Sequence, residues 1–188
     1  MADLLEVRWH GRGGLGAVTS AELLARAAAG EGKFTQSFPS FGPERRGAPV
    51  VAFLRISDEF IRTRTNIRTP DAVVVIDPRL LRVVDVTEGL KDNGLLVINS
   101  TRSPAELKAE FGYKWPVASV DATRIARETI GVPITNTAMI GAFLRVSPLI
   151  PLEAMKEALE ERFGSRAAPN FKAMQRAYDE LVVEGAAK

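Results

Sequence analysis

The sequence predicts a single three-layer α/β/α domain over residues 1–188, with a mostly parallel central sheet, a Rossmann-like opening and a helical C-terminal part. Three observations carry that expectation. A strand-like segment, LLEVRWH (Leu4 to His10), runs into the glycine turn GRGGLG and then into the alanine- and leucine-rich stretch AVTSAELLARAAAG, a helix that should stop near Gly30. Two nearly continuous apolar runs, AVVVID (Ala72 to Asp77) and LLVINS after the Asp92-Asn93-Gly94 turn, read as strands covered on both faces, as in a parallel sheet. The chain then closes on the helical segments NTAMIGAFLRV, LEAMKEALEERFG and NFKAMQRAYDELVVEG.

The remaining elements follow in order. After the first helix, KFTQSF reads as a second strand, SFPSFGPERRGAP as a Pro/Gly-punctuated loop, and VVAFLRIS as a third strand dense in β-formers. Ser103-Pro104-Ala105-Glu106 has the arrangement of a capping box with Pro in the first helical position, so a short helix should run to about Phe111. PVASVD is the next strand, and Asp121 is placed to cap the helix ATRIARETIG, which stops at Gly131. No internal repeat, low-complexity linker or composition break marks a second domain.

Composition narrows the chemistry. A chain of 188 residues can bury roughly two thirds of the surface its unfolded form exposes. It contains no cysteine, which excludes disulfides, thiolate zinc sites, cysteine nucleophiles and cysteine-ligated iron–sulfur clusters within this polypeptide. One histidine, His10, leaves no His-pair metal motif. A formal charge of +2 implies no nucleic-acid face. No apolar run nears the roughly 18 residues of a membrane helix. With an opening, MADLLEVRWH, that has acidic residues and no long apolar core, the expectation is a soluble cytoplasmic protein with neither nucleic acid nor membrane as partner.

Gly11, Gly13 and Gly16 have the spacing of a dinucleotide fingerprint, with Gly14 between them, and stand between a strand and a helix. Glycines there let the backbone approach a pyrophosphate, whose charge meets free N–H groups at the helix start. The fingerprint also needs an acidic residue roughly 20 positions on to hold the ribose, and KFTQSFPSF has none. No Lys-Ser or Lys-Thr follows to make a Walker loop. Three readings stay open: an anion cradle without a nicotinamide, glycines that only allow close strand-to-helix packing, and, against the missing carboxylate, a true NAD site.

In Ser40 to Pro49, SFGPERRGAP, stiff backbone carries Glu44, Arg45, Arg46 and Gly47. The arginines can fork onto a phosphate or a partner's carboxylate, with Glu44 orienting one, or the loop is a solvated turn. Phe38 and Phe41 tilt the reading toward a docking surface. Asn136 is expected to cap its helix, whose small residues allow close packing against the sheet, and Asn136 and Thr137 are candidate ligand contacts. His10, at a strand end, reads as a partly buried hydrogen-bonding residue. No side chain forms a catalytic nucleophile with its base, so no catalytic residue and no metal ligand is assigned.

Taken in order, GRGGLG, SFGPERRGAP and NTAMIGAF, separated by VVVIDPRLL and LLVINS, resemble over nearly the whole chain the gamma subunits of pyruvate and 2-ketoisovalerate ferredoxin oxidoreductases. Two departures bear on the branch: Leu15 stands where many relatives have Gln, and Ala48 where oxoglutarate and indolepyruvate members tend to have a second Gly. Both favour the pyruvate or ketoisovalerate branch. The resemblance implies a multisubunit enzyme that oxidatively decarboxylates a 2-oxoacid to an acyl-CoA and carbon dioxide and reduces ferredoxin. Thiamine diphosphate, Mg, coenzyme A and iron–sulfur clusters would serve the complex, and alpha, beta and delta-type subunits would be the partners. It further implies that this chain is inactive alone and helps coenzyme A reach the site, with Arg45 and Arg46 on coenzyme A phosphates or on a partner, and Gly11, Gly13, Gly14 and Gly16 shaping the adjoining wall. The absence of cysteine and of a Gly-Asp-Gly segment agrees with cofactors held by the other subunits. A stand-alone nucleotide-binding oxidoreductase and a ligand-free adaptor domain are the alternatives.

Overall fold

The computed structural model describes residues 4–40 and 48–184. Strand β1 (Leu5–Arg12) leads into α1 (Ala17–Gly30), then β2 (Phe34–Pro39), β3 (Pro49–Ser57) and β4 (Ala72–Val75). A 3-10 turn (Pro78–Arg82) precedes β5 (Leu95–Asn99), followed by α2 (Pro104–Phe111), β6 (Val117–Val120), α3 (Ala122–Ile130) and α4 (Asn136–Val146). The chain continues through α5 (Met155–Phe163) and α6 (Ala167–Glu180) to β7 (Val182–Val183). Local signals set many of these ends. Ser103 accepts from Glu106 N–H while Glu106 reaches back to Ser103, completing the capping box of α2. Asp121 caps α3 through Arg124 N–H, and Gly131 ends it in the left-handed region.

The seven strands form one sheet in the order β2-β3-β1-β4-β5-β6-β7. Strands β1, β4, β5 and β6 pair in parallel as its core. Strand β3 is antiparallel to both β1 and β2, which leaves β2 running in the same direction as β1 but one strand removed from it. The sheet is therefore mixed, with a parallel centre and reversed strands at β3 and β7.

Three details differ from the sequence reading. Strand β1 does not stop at His10: the ladder with β3 continues through Gly11↔Val50 and Arg12↔Pro49, so the glycine turn proper begins at Gly13. The chain does not end all-helical, because two residues after α6 pair with β6 as β7. Helix α4 does lie on the sheet, but its glycine serves another neighbour. A Cβ at Gly141 would run into the carbonyl oxygen of Met174 on α6.

The layers are unequal. On one face, Val7, Trp9, Leu54, Ile56, Val74, Ile76 and Val97 meet α1 and α3 to α6 in the main core, where Trp9 packs edge-on against Phe143 at 5.7 Å. On the other face, Val73, Val75, Leu96, Ile98 and Val117 meet the 3-10 turn, α2 and the chain before β5 in a smaller cluster. Alternation along each strand produces this partition. It also turns the even positions of β1 toward the thin layer. Glu6 there pairs with the buried Arg55 at 2.8 Å, and Arg8 donates to the Val86 carbonyl at 2.9 Å.

Candidate functional site

The path from β1 goes through α1 to β2 on one side, while the path from β4 goes to β5 on the other. The C-terminal ends of β1 and β4 are therefore the topological switch point, where open α/β sheets bind ligands. The glycine turn lies there. Gly14 and Gly16 adopt φ of 91° and 83°, and at Gly14 no atom stands within 4 Å of where a Cβ would be. At Gly16 a Cβ would lie 2.9 Å from Asn136, so α4 approaches the turn closely enough to require glycine.

Hydrogen bonds fasten the three sequence clusters together. Gly13 N–H donates to the Ala48 carbonyl at 3.2 Å, joining the turn to the end of the loop between β2 and β3. Ser20 Oγ donates to the Gly16 carbonyl at 3.0 Å and to the Asn136 carbonyl at 3.3 Å. Gly13 and Leu15 N–H groups are both engaged within the protein, the latter with the Arg12 carbonyl at 3.0 Å. The N–H groups of the first turn of α1 have no intrahelical partner and, among the described residues, no capping side chain.

The predicted residues part company here. Gly14 is exposed, Gly13 and Gly16 line the turn, and Gly11 is buried inside β1 with a Cβ position 2.9 Å from Ala17 Cβ. Asn136 is not the N-cap of α4; Thr135 is, and Asn136 occupies the first helical position, where its Oδ1 accepts from Thr137 N–H at 2.9 Å. Thr137 turns away from the crevice: its hydroxyl donates to Asn170 Oδ1 of α6 at 2.9 Å. Glu44, Arg45, Arg46 and Gly47, with Phe41, lie outside the described residues.

Sequence reasoning missed Arg12 and Asp77. Arg12 Nε pairs with Asp77 at 2.9 Å across the ends of β1 and β4, and Arg79 binds the same carboxylate at 2.8 Å. Burial works against ionisation of Asp77, but the bonds from Arg79 and the charges of Arg79 and Arg12 prevail, holding its carboxyl below the usual range. The signal was present as VVVID followed by Pro, a strand ending on a carboxylate. His10 is 6 % exposed, and its Nε2 finds no partner among the described residues. Desolvation, reinforced by Arg8 and partly offset by Asp85, pushes its pKa down to about 4.

A cavity of about 660 Å³ opens at the ends of β5 and β6. Its polar groups are largely committed: Asn99 donates to the Ile76 carbonyl and to Thr123, Arg82 and Arg102 pair with Glu110, and Arg124 pairs with Glu128. Among the described residues no three His, Asp or Glu side chains converge as a metal ion would need, and no helix is long and apolar enough to cross a membrane.

Residues 6–180 match the pyruvate ferredoxin/flavodoxin oxidoreductase family. The chain belongs to this family. Within it, the chain is 51 % identical over 182 residues to the pyruvate/ketoisovalerate oxidoreductases common subunit gamma of Thermococcus kodakarensis, covering 96 % of this chain and 98 % of that one. It is 49 % identical over 180 residues to the pyruvate synthase subunit PorC of Methanocaldococcus jannaschii, covering 95 % and 98 %. The crystal structure of the pyruvate oxidoreductase subunit PORC of Thermotoga maritima superposes with a TM-score of 0.86 at 38 % identity, covering 96 % of this chain and 98 % of that one. These relatives are subunits of an oxidoreductase complex, and family membership accounts for a glycine turn that lacks the acidic partner of a nicotinamide site. Strand β3 lies between β1 and β2, where a dinucleotide fold places β2 itself.

Proposed function

We propose that the chain is the gamma subunit of a cytoplasmic, pyruvate-type 2-oxoacid:ferredoxin oxidoreductase, inactive until assembled with alpha, beta and delta-type subunits. The observation that carries this reading is the 51 % identity, over nearly the full length of both chains, to a subunit named gamma. The complex converts a 2-oxoacid and coenzyme A into an acyl-CoA and carbon dioxide, and the released electrons pass to ferredoxin. Thiamine diphosphate held with magnesium by a companion would supply the electron sink for decarboxylation, and iron–sulfur clusters on companions would provide one-electron carriers. The chain has no cysteine to ligate such a cluster.

Its own contribution is to shape a phosphate-binding wall. The exposed Gly14 and the start of α1, which has no side-chain cap, offer backbone N–H groups at the switch point, where Asn136 packs against Gly16. Coenzyme A phosphates fit that chemistry, and in sequence Arg45 and Arg46 come shortly before Ala48, whose carbonyl accepts from Gly13 N–H. The chain purified alone is expected to show no pyruvate-dependent reduction of ferredoxin and no visible absorbance. Co-expression with its companions restores activity that needs both pyruvate and coenzyme A. Turnover by the isolated chain would overturn the reading.

A further inference from the structure

Strand β2 stands at the edge of the sheet and, among the described residues, pairs only with β3. Its sequence, FTQSFP, carries no charge, and its Pro comes at the end of the strand. Edge strands that face water are ordinarily blunted by charge, by an interior Pro or by a covering element, because an open row of N–H and C=O groups invites another strand. Here the charges stand beside the strand.

Residues 58–71, which connect β3 to β4, contain neither helix nor strand, and their first part, around Phe60 to Arg64, lies beside β2. Gln36 Nε2 donates to the Ile61 carbonyl at 3.1 Å, and buried Arg55 reaches the Thr63 carbonyl at 3.5 Å. Phe60, 67 % exposed, packs edge-on against Phe34, 45 % exposed, with ring centres 5.9 Å apart. Between the connection and the strand runs a groove of about 670 Å³. Arg62, Arg64 and Arg68 are all exposed, and none forms an ion pair with a described residue. The nearby acids do not balance them, since Asp58 is engaged by Lys33 and Asp71 by Lys91, which leaves Glu59.

We propose that the open edge of β2 and its groove dock an extended acidic strand of a companion subunit, with Phe34 and Phe60 as apolar anchors and Arg62 and Arg64 pairing with its carboxylates. Exposed aromatics beside arginines that form no ion pair with a described residue have the composition of an interface centre. Backbone pairing along β2 supplies affinity, and the arginines supply approach and register. A second copy of this chain fits less well, because a two-fold contact along β2 would bring the arginines of both copies together. The inference rests on the chain being one subunit of a larger enzyme, as proposed above.

The test uses the chain co-expressed with its companion subunits, compared with the chain alone by hydrogen exchange. Assembly is expected to slow exchange of the amides in residues 34–39 by about tenfold or more. The double variant Arg62→Glu/Arg64→Glu should keep the melting temperature of the isolated chain and bind the companions about tenfold more weakly. Arg62→Lys/Arg64→Lys should retain most of the affinity, and wild-type affinity should fall as salt rises. A complex that forms with β2 exchange unchanged, or with the glutamate variant at wild-type affinity, overturns this inference and leaves the proposed function standing. Failure of the wild-type chain to join the companions at all overturns the function, and the inference with it. A dimer of the isolated chain that dissociates in the glutamate variant would assign the edge to a second copy instead.

Discussion

At the scale of single residues, His10 shows how position fixes chemistry. It stands on β1, an interior strand between β3 and β4, on the face shared with Arg8, and both lie under the thin layer. Its folded pKa falls from the usual 6.5 to about 4, chiefly because burial disfavours the charged ring. Between those values the unfolded chain binds the proton and the folded chain does not, so stability is complete above about pH 6.5 and is lost as the pH drops through 4. A shift of that size corresponds to about 3 kcal/mol. Urea midpoints measured at pH 7 and pH 4.5 should therefore differ, and His10→Leu, which takes up no proton, should flatten the difference. The carboxylates held low by cation and hydrogen-bond partners, Asp77 and Asp85, act in a more acidic window. The sequence predicts a partly buried His10 at a strand end, whereas β1 runs on to Arg12 and His10 is buried within it. That its Nε2 would find no partner depended on side chains from distant segments, and the same is true of the Arg12–Asp77 pair.

Elements were legible wherever their ends are set by neighbours in sequence. Ser103 and Glu106 are three positions apart and meet as written, and Asp121 and Gly131 bound α3 by their own conformations. Pairing direction is not local. The polar and apolar pattern of VVAFLRIS suits a strand of either sense, and its insertion between β1 and β2 depends on how the loop returns. Strand β7 is two residues long, too short for any periodicity, and forms because β6 offers it an unpaired edge. Gly141 reads in sequence as a small residue on a buried helix, and the structure shows that α6 is what it admits. Gly141→Ala should destabilise the domain by about 2 kcal/mol or more, since the added methyl meets the fixed Met174 carbonyl and outweighs the gain in helix propensity. Chemical denaturation reads this directly, and an unchanged midpoint would mean that α4 and α6 can separate without cost.

At the scale of the whole molecule, three sequence clusters far apart along the chain arrive at one end of the sheet. The first and third meet directly at Gly16 and Asn136, and the second reaches them through the bond from Gly13 to Ala48. The switch point explains the convergence, because crossovers that leave β1 and β4 in opposite directions open a gap that nothing in the sheet fills. A gap lined by a helix start attracts anions, and the chain's adjacent arginines, Arg45 and Arg46, lie just before Ala48. In the assembled enzyme, Arg45→Ala/Arg46→Ala should raise the apparent KM for coenzyme A by about tenfold or more, the loss expected when charge-assisted bonds to phosphate are removed. Turnover at saturating coenzyme A and the subunit composition of the complex should stay as they were, because the proposed contacts would act on binding rather than on the reacting carbon. Loss of co-elution with the companions would instead make the two arginines docking residues, and the coenzyme would then depend on the α1 turn for its phosphate contacts in this subunit.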